Sequence, residues 1–263
     1  MALTAEKPTY NGISFSDEAA FDFVRSEGIL PDESDTLADL RRRVLEMGVT
    51  TEELVRDALR ALTEQDRLLA ATIMPRDDMV DRMDIEIEAM CLRLLAERPS
   101  AAALRVIGAA LKVTTDIERI GDHAVDIAKI SLRMGRELFY KPLVDIPRMG
   151  GMARQMLNDA LKAFVHRDLA LVEKVITGDD MVDALYARMR KELQLVMQDD
   201  PSSVLQASYL LFVAHYLERI CDHCTNIAER VAFIETGEMK RPAPAKHPRD
   251  LPPPPPVRVT AGR

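Results

Sequence analysis

The sequence predicts an all-α protein built as two tandem three-helix bundles, six helices in all, related by an internal repeat. Three observations carry this reading. From Asp35 to Glu238 the chain is rich in Leu, Ala, Met, Glu and Arg, with apolar residues at helical spacing and few β-branched alternations. Gly and Pro stand mainly where that periodicity breaks. The third observation is self-similarity: a shift of 102 residues superposes Asp57-Ala58-Leu59 on Asp159-Ala160-Leu161, Asp66 on Asp168, and Asp77-Asp78-Met79-Val80-Asp81 on Asp179-Asp180-Met181-Val182-Asp183. At an offset of 100, Glu118-Arg119-Ile120-Gly121-Asp122-His123 falls on Glu218-Arg219-Ile220-Cys221-Asp222-His223.

The elements follow in order from this pattern. A first helix is expected over about 35–70, and a second over 76–97, because Pro75 suits the start of a helix better than its interior. Pro99-Ser100 opens a third, over 100–138. The second repeat gives helices over about 146–174, 179–199 and 202–236, with Pro147, Gly178, the Asp199-Asp200 pair and Pro201 as the breaks. The domain boundaries are thus an N-terminal extension 1–34, a first repeat 35–140, a second repeat 141–238 and a Pro-rich, disordered tail 239–263 that holds five consecutive prolines, Pro252 to Pro256. A short amphipathic helix near Ser16–Arg25 is expected within the extension. One face of the long helices remains available once each unit buries its apolar side, so a homodimer is expected.

Composition excludes several classes. A net charge of −8 and a pI near 5.3 oppose the basic footprint of a nucleic-acid binder, so no nucleic-acid partner is expected. No stretch reaches the roughly 18 apolar residues of a spanning helix, and the N-terminus lacks a signal peptide's basic and apolar regions. A cytoplasmic protein is expected. The three cysteines, Cys91, Cys221 and Cys224, make no disulfide framework; the Cys221-x-x-Cys224 pair lies inside an uninterrupted helical pattern with no second such pair to complete a zinc site, and Cys224 falls on the helix's apolar side as a small buried hydrophobe would.

Chemistry concentrates in carboxylates. Glu118, Asp122 and Asp126 recur at i, i+4 and i+8, which places them on one helix face, with Ile120, Ala124, Ile127 and Ala128 roughly opposite. Asp77, Asp81, Asp84 and Glu88 form a second strip on the preceding helix. Like charges at this spacing repel, and a bound cation would neutralise them. Oxygen donors suit Mg, Ca, Mn or Fe, and His123 beside Asp122 could add a nitrogen. A solvated face relieved by Arg119 fits the same spacing. The second repeat keeps Asp179, Asp183, Glu218 and Asp222 but has Tyr186, Arg190 and Asn226 for Asp84, Glu88 and Asp126, so the first repeat is expected to hold metal more tightly. No phosphate-cradling loop, nucleophile elbow or H-E-x-x-H is present, and no catalysis is expected. A di-iron oxidase or metal-storage bundle is the alternative, but its Glu-x-x-His spacing is missing, since each histidine follows its glutamate by five residues.

The segments TDIERIGDHAVDIAKI (115–130), YLERICDHCTNIAERV (216–231), LRRRVLEMG (40–48) and CLRLLAERPSAAALRVIGAALK (91–112) resemble the PhoU family of phosphate-signalling proteins, in order and in both repeats. The resemblance implies paired three-helix bundles that carry surface metal ions, divalent or iron-type, on E/D-x-x-x-D motifs. The metal ligands it implies are Asp77, Asp81, Glu118, Asp122 and Asp126, with Asp179, Asp183, Glu218 and Asp222 in the second repeat. It further implies a negative regulator of phosphate uptake and of the phosphate-starvation response. Its implied partners are the ATPase of the phosphate-specific ABC transporter and a sensor histidine kinase, and it would meet the membrane only through them.

Overall fold

The computed structural model describes residues 35–135, 139 and 143–238; the expected extension helix and proline tail lie outside them. Six α-helices run in sequence: α1 (Asp35–Thr63), α2 (Arg67–Ala96), α3 (Ala101–Met134), α4 (Asp145–His166), α5 (Leu169–Asp199) and α6 (Val204–Thr236), the last preceded by a 3-10 turn at Pro201–Ser203. Among the described residues there is no strand. Helices α1 to α3 form one bundle and α4 to α6 the other.

Two of the expected breaks move. Helix α2 runs through Pro75, and α5 runs through Gly178. The chain instead turns at Glu64–Asp66 and Arg167–Asp168, because Asp66 accepts hydrogen bonds from the Leu68 and Leu69 backbone N–H groups and Asp168 from those of Ala170 and Leu171. These caps satisfy amides that would otherwise be orphaned at the helix start. Gln65 and Arg167, at equivalent places, take the left-handed conformation that ends the preceding helix (φ 54° and 56°). The helix tolerates Pro75 because one exposed proline forfeits a single backbone hydrogen bond.

The bundles do not bury their apolar faces separately. Helix α3 packs on α6 and α1 on α4, and one continuous core runs through both repeats. The contacts across this seam are reciprocal, as a pseudo-twofold axis requires. A Cβ at Gly48 would lie 2.4 Å from Leu161, and one at Gly150 would lie 2.5 Å from Leu59; both pairs are related by the repeat. The absent side chains let α1 and α4 approach closely, and each leucine fills the gap left by the opposite glycine. Near the axis equivalent residues meet: Arg154 Nε lies 2.5 Å from Glu52 Oε1, and the His123 and His223 ring centroids are 5.7 Å apart.

Candidate metal centre

The α2–α3 interface brings the two acidic strips together. Asp77 is only 9% exposed, and its Oδ1 is buried without a hydrogen-bond partner. It fits there because position 121 is glycine: a Cβ would stand 2.6 Å from that oxygen. Burial first, then the charges of Asp81, Asp122, Glu118 and Asp78, push the Asp77 carboxyl up to about 7. The same causes raise Asp81 and Glu118, burial leading in both and Asp122 following. Arg119 reaches both acidic partners on its own helix, with Nε 3.3 Å from Glu118 Oε2 and Nη1 3.1 Å from Asp122 Oδ2. One cation thus relieves part of the repulsion among four carboxylates.

The second repeat reproduces this at α5–α6. Asp179 is pushed up to about 7 by burial and then by Asp183, Asp222 and Asp180, with the Thr225 hydroxyl pulling the other way. Glu218 is also pushed up to about 7, by burial and then Asp222, and its Oε2 is buried without a hydrogen bond, 3.4 Å from His215 Nδ1. Cys221 stands fully buried where the first repeat has Gly121. Tyr186 replaces Asp84 and carries the Arg190 guanidinium 5.9 Å from its ring centroid.

Among the described residues no three His, Cys, Asp or Glu side chains are gathered into a ready-made cage. Each repeat presents instead an open array of oxygen donors at the surface, with one buried carboxylate oxygen short of a partner. Such donors suit a hard or borderline cation that keeps part of its water.

The PhoU domain family model matches residues 44–131 and 146–231, one copy per repeat. This chain belongs to the PhoU family. It is 41% identical over 208 residues to the phosphate-specific transport system accessory protein PhoU homolog of Clostridium acetobutylicum, covering 78% of this chain and 94% of that relative. It is 35% identical over 204 residues to the homolog of Aquifex aeolicus, covering 77% and 92%. The crystal structure of PhoU from Pseudomonas aeruginosa superposes with a TM-score of 0.75 at 33% identity, covering 77% of this chain and 98% of that one. That of the phosphate transport system regulatory protein PhoU from Streptococcus pneumoniae gives 0.74 at 30% identity, covering 78% and 98%.

Within this PhoU fold the nine expected ligand residues separate. Asp77, Asp81, Glu118 and Asp122 act on one another, as do Asp179, Asp183, Glu218 and Asp222. Asp126 stands apart: Lys129 Nζ lies 3.2 Å from it, and its charge falls on His123 and Tyr216 at the α3–α6 seam. Glu88 is exposed. Asp84, which acts on Asp81 and Glu118, stays with the first group, so the first repeat presents five carboxylates and the second, with Tyr186 in that place, four.

The histidines belong to the seam. His123 stacks on Tyr216 with centroids 5.6 Å apart, while His223 Nδ1 lies 2.8 Å from Asp116 Oδ1, to which Asn226 also donates at 3.0 Å. His123 therefore turns toward α6, and Asn226 has a polar partner of its own. The signal was present as a shared i, i+7 spacing, Asp116/His123 and Tyr216/His223, which antiparallel packing brings face to face.

Proposed function

We propose that this protein is a non-catalytic accessory regulator of phosphate-specific transport, which restrains phosphate uptake and the phosphate-starvation response. It acts in the cytoplasm by contact with the transporter ATPase and a sensor histidine kinase. The names of its relatives, as phosphate-specific transport system accessory proteins, support the transport connection. The absence, among the described residues, of any helix long and apolar enough to cross a membrane agrees with action through membrane partners.

The observation that carries the reading is the doubled carboxylate array, with a crowded, incompletely partnered carboxylate in each repeat. A divalent or iron-type ion would be held by Asp77, Asp81, Glu118 and Asp122, and a second by Asp179, Asp183, Glu218 and Asp222. Asp126 would take part only by turning from Lys129. A bound ion would supply positive charge to an acidic surface and set what that surface can dock against. The protein's own contribution is to orient the carboxylates, with Gly121 giving Asp77 room and Arg119 and Arg219 holding Asp122 and Asp222.

Tagged full-length protein purified from phosphate-rich cells should bring down the transporter ATPase and the sensor kinase, with altered recovery after phosphate starvation. Recovery of neither, together with an unchanged starvation response in cells lacking the protein, would overturn the reading.

A further inference from the structure

Helix α6 carries a strip of rings that the core does not fully absorb. Leu205, Tyr209, Phe212 and Tyr216 fall within an arc of about 60° on one face of that helix. Leu205 is 64% exposed and Phe212 52%, while Tyr209 and Tyr216 are half-buried. The Tyr216 ring is braced on two sides, stacked on His123 with centroids 5.6 Å apart and lying 6.1 Å from His215. At an offset of 100 along α3, the equivalent and equally unbroken helix, the same face reads Arg105, Ala109, Lys112 and Asp116. The fold therefore does not demand aromatic residues there, and the second repeat alone has them. Rings set out in this way suit a ligand that is itself stiff and apolar. Polyproline is such a ligand, because proline's own ring sets its left-handed helix and little entropy is lost when it docks on aromatic side chains.

We propose that the strip receives the chain's own proline segment, Pro252 to Pro256, folded back along α6. Reach, length and charge select this occupant. Helix α6 ends at Thr236, about 30 Å along its axis from Tyr216, and residues 239–251 span up to about 40 Å at about 3.1 Å per residue, so the prolines can arrive at Tyr216 with chain to spare. Five prolines then extend about 15 Å, against about 16 Å from Tyr216 to Leu205. The repeat lengths agree as well, since a polyproline turn of three residues advances about 9 Å and the rings of Tyr216 and Tyr209, seven residues apart, stand about 10 Å apart along the axis. With the segment antiparallel to α6, Pro253 covers Tyr216 and Pro256 covers Tyr209, Phe212 lies between them, and Val257 continues toward Leu205. Residues 239–263 hold six Lys and Arg against one Asp in a chain whose net charge is −8, so a basic tail meets an acidic body. Because the tail is tethered, its effective concentration is on the order of millimolar, and a contact made by a few rings is enough to hold it. This inference stands on α6 and the tail alone and does not depend on the phosphate-transport reading or on metal binding.

Time-resolved fluorescence anisotropy of the full chain tests it. The three native cysteines are buried, so a thiol-reactive dye on Thr260→Cys marks the tail alone. The dye should turn mainly with the whole molecule. Phe212→Lys should lower the ratio of docked to free tail by about tenfold, read as the loss of most of the slow component. Pro253→Gly combined with Pro256→Gly should have the same effect from the other side of the contact, and these positions lie outside the six helices. Phe212 is exposed, so circular dichroism should show unchanged helix content in both variants. A dye that turns freely in the otherwise unsubstituted chain would overturn the docking. A slow component indifferent to Phe212→Lys would mean that the tail is held elsewhere, and one that grows with protein concentration would mean that it lies on another molecule; either result overturns the proposal.

Discussion

Adding one methyl group at Gly121 puts a carbon 2.6 Å from Asp77 Oδ1, the end of a side chain that can swing away. Gly121→Ala should therefore displace the carboxylate without unfolding α3, since alanine's better helix propensity, worth about 1 kcal/mol, offsets the disturbance. Metal analysis should show less ion bound, while the melting temperature of the metal-free protein changes little. The protonation of the same site gives a second expectation. Asp77, Asp179 and Glu218 have ordinary values of 3.8, 3.8 and 4.5 and sit at about 7 when folded. Between those limits the folded protein binds more protons than the unfolded chain, so these groups lower stability as pH rises through about 7. His123, pushed down from 6.5 to about 4 by burial and then by His223, acts oppositely below 6.5. The metal-free melting temperature should accordingly fall from about pH 4.5 to about pH 7, more gently below 6.5 where His123 opposes it, and level off above that range, and Asp77→Asn should make the fall shallower. A flat profile in the wild type would remove the crowding on which the site rests. Asp77, Asp81, Glu118 and Asp122 were legible because helical periodicity alone puts them on facing strips. Asp126 was not, because an 80° drift along α3 carries it from the α2 interface to the α6 seam, and helix neighbours cannot be read from one helix's own spacing.

The helices themselves show where local signals compete. Helix identity and number are written in the apolar period, but the breaks between α1 and α2 and between α4 and α5 depend on a capping aspartate that outweighs a nearby proline or glycine. Pro75 and Gly178 are conspicuous helix breakers, yet each lies inside a helix whose start is anchored at Asp66 or Asp168 and whose apolar side is buried along its length. The repeat already paired Asp66 with Asp168 and so marked the true boundary. Replacing either with alanine leaves two backbone amides without an acceptor. Asp66→Ala and Asp168→Ala should each cost about 1 kcal/mol in chemical denaturation, with the slope against denaturant unchanged. Asp66→Asn, which can still accept from the same amides, should recover most of the loss.

At the scale of the molecule, the seam between the repeats decides whether this is one unit or two, and its centre is the contact between Glu52 and Arg154. They occupy the same position in the two repeats, 102 residues apart, so the pseudo-twofold brings each against its counterpart. Two identical charged residues there would repel; divergence to one acid and one base turns the contact into an ion pair that only the tandem chain can make. Glu52 is 1% exposed, so its charge depends on what surrounds it. Arg154→Ala should therefore destabilise the whole protein by about 3 kcal/mol, the size of effect expected when a buried ion pair loses one member. Because the seam is shared, both repeats should melt together in a single lowered transition rather than one at a time. The exchange Glu52→Arg with Arg154→Glu tests the symmetry itself. If the two sides of the axis are equivalent environments, the reversed pair should recover more than half of the lost stability, and the coupling should appear in a double-mutant cycle. An exchange as damaging as the single substitution would mean that the surroundings of Glu52, and not its counterpart across the axis, hold the seam together.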